Sequence, residues 1–311
     1  MTLLKRKRVI AAKIETTVGT AISVAASDAT YNAYDILIQP EIEINPREGQ
    51  AGFGMLPGVT GGYKGKATFK TDAGWDGTAT EPEWADTFLP ACGFVKTGQV
   101  FNPVTEAPGA NVKTLTIYCY QDGMIKGISG AVGNGKLISP TGKDAYWEWE
   151  FSGVWIPPTD GAILAPTYAT ALPLRYASST TTYNSVALLL SNLTLDFGNE
   201  VVMRESPATV GGFIAGIITN RNPKVTCDPE SKLVATRDPY KQFLDSTEAA
   251  LTWSLDGPTN SVMTFTAPKA QIIKVTEADR NKLVTDAIEF QLNRNGSTVD
   301  RELSITFTAA V

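Results

Sequence analysis

Residues Gly61–Phe94 read GGYKGKATFKTDAGWDGTATEPEWADTFLPACGF. The pattern predicts a strand entered from a glycine-rich loop and followed by a short helix. Tyr63, Lys64, Lys66, Thr68 and Lys70 mix with Ala67 and Phe69 in a loose period of two, as in a half-buried strand. Thr80 stands three residues before Glu83, the spacing of a capping box. Pro82 suits a first helical turn, where its missing N–H would lack a partner anyway. Trp84, Phe88 and Leu89 then share one helical face, and Pro90 and Gly93 end the element.

The rest of the chain sets the scale for this unit. At 311 residues, with 43% hydrophobic and 19% charged residues, it can bury a sizeable core, and two domains are the natural expectation. Long helical periodicities are scarce while Thr, Val and Gly are plentiful, which favours a mainly β architecture. The net charge of −5 argues against a broadly basic nucleic-acid-binding surface. Val186–Leu190 is the longest uninterrupted apolar run, far below the ~20 residues of a membrane-spanning helix, so no membrane anchor is expected. Cys92, Cys119 and Cys227 are too scattered for a disulfide framework and read as buried free thiols. With no histidine in the chain, the usual general base and the commonest zinc ligand are missing.

Taken in order, residues 1–34 read as an N-terminal arm and loop: Leu3–Gly19, with the basic tip Lys5–Arg8, is an amphipathic extended segment or strand, and Thr20–Asn32 a long polar loop. Asp35–Ile44 alternates, with Ile36, Ile38, Ile42 and Ile44 on one face and Glu41 and Glu43 on the other. Pro46–Gly62 is glycine-rich and reads as a long mobile hairpin loop, whose Phe53, Met55, Leu56 and Val59 suggest a docking surface. Val95–Asn111 reads as a second loop. Asp122-Gly123 between Leu115–Tyr120 and Met124–Val132 is a hairpin signal. In Tyr146–Phe151, Trp147, Trp149 and Phe151 share one face, and Glu148 and Glu150 the other. Four prolines in Ile156–Tyr183 give that stretch a linker composition. The expected organisation is a first domain at 35–156, a linker at 157–184 and a second domain at 185–311.

The second domain echoes the first. Arg47-Glu48 and Arg204-Glu205 lie 157 positions apart, and Lys66–Phe69 (KATF) answers Lys224–Cys227 (KVTC) at 158. Phe88-Leu89 answers Phe243-Leu244 at 155, behind Asp238 as N-cap and Pro239 at the first helical position. Leu115-Thr116 answers Leu251-Thr252 at 136. Their shared order points to an internal duplication.

Catalytic equipment is hard to find. Gly130–Leu137 (GAVGNGKL) fits a phosphate-binding loop up to Leu137, which stands where Ser or Thr should be, and Pro140 follows where a helix should open; it reads as a turn. Glu148 and Glu150 could form a carboxylate pair, but as i and i+2 on a strand they read as a solvated face opposite core tryptophans. No enzyme activity, cofactor or metal is expected.

Several runs resemble the tail tube proteins of long-tailed bacteriophages: ILIQPEIEINPRE (36–48), KATFKTDAGWDG (66–77) and above all EPEWADTFLPACGF (81–94), where Leu89–Phe94 matches the family's end motif with Pro90 as a departure. LTIYCYQDGMIKGISGAVGNGKLI (115–138), WEWEFSGVW (147–155), ITNRNPKVTCDPE (218–230) and MTFTAPKAQI (263–272) are similar to the same proteins. The resemblance implies two tandem β-sandwich or barrel domains, each with one short flanking helix. It implies rings closed by pairing sheet edges and stacked into a hollow tube through which genomic double-stranded DNA passes. A duplicated chain should form trimeric rings with pseudo-sixfold symmetry. It further implies an acidic lumen, for which Glu41, Glu43, Glu148 and Glu150 are the candidates by facing; the candidates for ring-stacking contacts are the loop residues Phe53, Met55, Leu56 and Val59 and the arm Leu3–Gly19. The implied partners are the chain itself, a tape measure protein, tail-end proteins and DNA in transient, non-specific passage. The implied place is the virion tail, assembled in the host bacterial cytoplasm. The competing expectation is a carbohydrate-binding or adhesin-type tandem β-sandwich using Trp147 and Trp149.

Overall fold

The structure, a computed structural model, describes residues 2–78, 80–257 and 261–309. The first half runs β1 (Arg8–Ile14), β2 (Ala33–Glu48), β3 (Met55–Asp72), α1 (Glu83–Ala91), β4 (Phe94–Thr97), β5 (Val100–Pro103), β6 (Leu115–Gln121), β7 (Met124–Pro140) and β8 (Tyr146–Asp160). The second runs β9 (Thr182–Tyr183), β10 (Val186–Ala187), β11 (Asn192–Asp196), β12 (Asn199–Glu205), β13 (Phe213–Arg221), β14 (Lys224–Cys227), α2 (Pro239–Leu244), β15 (Glu248–Asp256), β16 (Val262–Arg280), β17 (Leu283–Leu292) and β18 (Ser304–Thr308). The chain is mainly β, and the described residues hold two α-helices. No helix among them is long and apolar enough to cross a membrane.

The two halves correspond in strand order and register. The first half pairs β1-β6-β7-β8-β3-β2, and the second pairs β9-β15-β16-β17-β14-β11. Ala67 stands between Ile38 and Phe151, as Val225 stands between Leu195 and Phe290. Along the hairpins, Ile42↔Tyr63, Ile44↔Thr60 and Glu48↔Met55 recur as Asn199↔Arg221, Val201↔Ile218 and Glu205↔Phe213. The offsets of 157 and 158 therefore describe real counterparts. The offset of 136 does not. Leu115↔Ala131 and Ile117↔Ile128 flank a bulge that recurs at Ala249↔Ala270 and Leu251↔Ala267, so Ile117, not Leu115, is the counterpart of Leu251.

The two repeats are fused. β11 pairs with the outer end of β7, from Asn192↔Pro140 to Asp196↔Lys136, which makes one sheet of the two. β18 closes over the first repeat: it pairs with β5 as well as β16, and Phe307 contacts the rings of Trp75 at 5.2 Å, Phe101 at 5.9 Å and Trp84 at 6.1 Å. One buried cluster runs from Ile10 to Phe307. The expected linker at 157–184 separates no cores. β8 continues to Asp160, and Pro173, Arg175 and Tyr176 form bridges to Gly74, to Asp144 and Asp256, and to Thr141. Its prolines suit a strap held against both repeats as well as they suit a free linker.

The arm resolves into one of its expected forms, and expectations change at three further places. The arm is a sheet strand, β1, paired with β6 and buried from Val9 to Ala12, and Lys7 is tied to Asp122 at 2.7 Å. Pro46–Gly62 is not a floppy loop, because β2 and β3 stay paired, through register shifts at Ile42/Ile44 and Asn45/Arg47, out to Glu48↔Met55; an antiparallel ladder satisfies its backbone without needing a core. Val95–Asn111 likewise holds the β4–β5 hairpin. Finally, α1 starts at Glu83 behind Pro82 as N-cap, with no side-chain cap. Thr80 instead offers its carbonyl to Trp75 Nε1 at 3.1 Å, and Glu83 accepts from the Thr30 hydroxyl.

Burial holds α1 in place. Trp84, Phe88 and Leu89 lie on the aromatic row of β8 and β3, with Phe88 5.2 Å from the rings of both Trp149 and Phe69 and Trp84 5.7 Å from Trp147. The indole N–H groups of Trp84 and Trp149 donate to Gly74 O at 2.8 Å and Thr71 Oγ1 at 2.9 Å, so these two large side chains are buried without losing those hydrogen bonds.

Candidate assembly surface

The phosphate-loop near-miss lies inside β7, not in a turn. Gly130, at φ +59, forms the bulge, and its N–H donates to an anion of the chain itself: Glu15 Oε1, at 2.7 Å. The buried Glu15 carboxylate also accepts from Thr116 Oγ1 at 2.8 Å, Thr114 Oγ1 at 2.7 Å and Gly19 N at 2.9 Å. Four donors satisfy a carboxylate out of water, and the clamp ties the end of β1 to the bulge. No periodicity marks Glu15 as buried; only its place at the end of an apolar run hints at it.

Trp147 and Trp149 are buried and stack at 5.0 Å. They are not a surface strip on which sugars could stack. Glu148 and Glu150 lie on the opposite face of β8, which is shared with β3 and β2. That face alternates in sign. Lys66 Nζ is 2.6 Å from Glu150, Lys70 is 3.3 Å from Glu148 and 3.4 Å from Asp35, and Lys64 is 3.6 Å from Glu41. Hydrogen bonds, first to Glu148 and then to Asp35, hold the Lys70 ammonium above its ordinary range. The second repeat carries the same diagonal pair, Lys224 to Glu289 at 2.7 Å, at the counterparts of Lys66 and Glu150. Three of the four carboxylates picked by facing thus have lysine partners, and the surface is balanced where an acidic one was expected. The lysines were legible in KATF and KVTC, but the diagonal needs the register. Glu43 sits in the irregularity between Ile42 and Ile44 on the exposed outer part of β2.

The long hairpins differ in what they touch. β12–β13 lies against β7 and β8, with Tyr63 N donating to Gly211 O at 3.0 Å and Asn199 Nδ2 to Cys92 O at 2.8 Å. β2–β3 projects freely, and Phe53, Met55, Leu56 and Val59 are exposed together with Ile42 and Ile44.

Among the described residues, two unfilled edges match the two sides of the β11–β7 joint. β2 pairs only with β3. β16 pairs with β15 up to Gln271 and with β17 from Ala270 to Arg280, so Lys274–Arg280 has a neighbour on one side only. In the first repeat the corresponding side of β7 is filled by β11, itself the counterpart of β2. Compared with known proteins, the chain matches no family model and no curated protein.

Proposed function

We propose that this chain is a non-enzymatic structural subunit of a bacteriophage tail tube, and that it builds rings by repeating between chains the joint it makes within itself. The observation that carries the reading is the pair of open edges. Among the described residues β11 fills the side of β7, while its counterpart β2, at one end of the sheet order, and the matching side of the outer part of β16, in the other repeat, are unfilled. Unpaired edges are normally blunted or covered, and a head-to-tail contact between them generates a closed ring or a filament.

Carrying the register of Thr194↔Ile138 across the repeat sets Leu37 of one chain opposite Ala278 of the next, both exposed. With two repeats per chain and one kind of joint, three chains close a pseudo-sixfold ring. The face bearing Lys66, Glu150, Lys224 and Glu289 then lines the channel. Its lysines are engaged by carboxylates, which leaves few free cations to hold phosphates and lets double-stranded DNA pass without sticking. In this reading the stacked rings meet a tape measure protein and tail-end proteins, and the assembled protein resides in the virion tail after assembly in the host cytoplasm.

The test is a Leu37→Cys, Ala278→Cys chain, oxidised after purification. Rings in negative stain, with covalent species ending at three chains, support the reading. Six chains per ring sink the trimer, and soluble monomers that bind glycans and never form rings sink the tube.

A further inference from the structure

The second repeat shows what its hairpin does, and the first repeat has the same hairpin with nothing under it. From the register, Met55, Pro57 and Val59 are the counterparts of Phe213, Ala215 and Ile217. Residues 51–60 are exposed throughout, whereas 213–218 are buried or half-buried. The docked hairpin makes close backbone contacts: a Cβ on Gly130 would lie 2.9 Å from Ala215 Cα, one on Gly216 2.7 Å from Val132 Cγ2, and one on Gly62 2.8 Å from the Phe213 ring. Thus the hairpin of the second repeat rests on the bulge of β7 and on the root of the preceding hairpin.

Resting on the ring reading, we infer that the β2–β3 hairpin is a lateral clasp. It lies across the second repeat of a second copy of this chain within the same ring, and does not reach for the ring above. The occupant follows from continuity with the internal joint. The counterparts of Gly130 and Val132 are Lys269 and Gln271, beside the β16 bulge, and the counterpart of Gly62 is Asn220. Pro57 of one chain therefore meets Lys269 of the next, and Met55 covers Asn220. This surface is partly exposed and richer in amide groups than its first-repeat counterpart, with Gln271, Gln291 and Asn293 side by side. It can accept the arm's backbone while Met55 and Val59 leave water. The same superposition brings Ile42 and Thr60, at the root of the arm, toward the exposed C-terminal end of α2, as Asn199 and Ile218 meet Cys92 and Gly93.

The test is a Pro57→Cys, Lys269→Cys chain oxidised as single rings separated from tubes, with each single variant as control. The three native cysteines are buried and leave a low background. Loss of the monomer band to linked dimers and trimers in single rings supports the clasp. Linkage that forms only in stacked tubes overturns it and makes the arm a stacking contact. Single rings that form normally without linkage overturn it while the ring reading stands. If neither rings nor the 37–278 linkage form, the ring reading fails and the clasp falls with it.

Discussion

The two helices stand at the same point of the two repeats and are held by opposite means. α1 has no side-chain cap, a proline in its last turn and two acids in its first, yet it buries Trp84, Phe88 and Leu89 completely or nearly so. α2 has six residues and a complete start: Asp238 accepts from Lys241 N at 2.8 Å, and Pro239 sits in the first turn. Its outer face is bare, with Phe243 43% and Leu244 83% exposed against 0% for Phe88 and Leu89. One helix exists because of what lies beneath it, the other because of how it begins. After duplication a repeat can keep its register while its stabilisation moves from packing to local hydrogen bonds.

The largest expected effect breaks α1 through its floor. Trp84→Ala should cost about 3–5 kcal/mol in denaturant unfolding, since it empties a site walled by Trp147, Trp149 and Phe307. Phe243→Ser on α2 should leave monomer unfolding within about 0.5 kcal/mol. Equal losses for the two would end the contrast. A smaller effect tests the starts: Asp238→Ala should cost about 1 kcal/mol, and Thr80→Ala much less, because its hydroxyl does not cap α1. A larger loss at Thr80 would restore the capping box.

A further effect concerns charge in the first turn, where α1 carries Glu83 and Asp86 and α2 carries no acid. Burial pushes the Glu83 carboxyl up to about 7 from 4.5, with the negative charge of Asp28 adding to it and the bond from Thr30 opposing it. The folded state therefore holds this proton more tightly than the unfolded one. Stability from it is fully present below pH 4.5 and is lost as pH rises to about 7. Glu83→Gln should flatten that decline and raise the melting temperature at pH 8 relative to the parent chain. Parallel curves for the two proteins would show that Glu83 does not carry the effect.

Much of this was legible in the sequence. KATF and KVTC sit at equivalent positions, and the alternation in YWEWEF separates core from solvated face as expected, because period and burial are tied in any strand. The Asp238–Pro239 start was legible because a cap is a contact between near neighbours. What could not be read depends on partners distant in sequence. Glu15 meets Gly130 across 115 positions, and nothing in either neighbourhood names the other. The slip from Leu115 to Ile117 could not be read, because the two Leu-Thr pairs match by identity while the pairing with β7 and β16 sets the counterparts. The balance of the carboxylate face needed the diagonal between Lys66 and Glu150, and the open edges needed the whole sheet order.

The closure of the first repeat by β18 sets a timetable for biosynthesis. β5 begins at Val100, and the strand that pairs with it begins at Ser304. At roughly 5–20 residues per second of translation, that gap lasts on the order of 10–40 s. During it Trp75, Trp84 and Phe101 wait for Phe307. A nascent chain therefore carries an unfinished core in its first repeat until β18 is made.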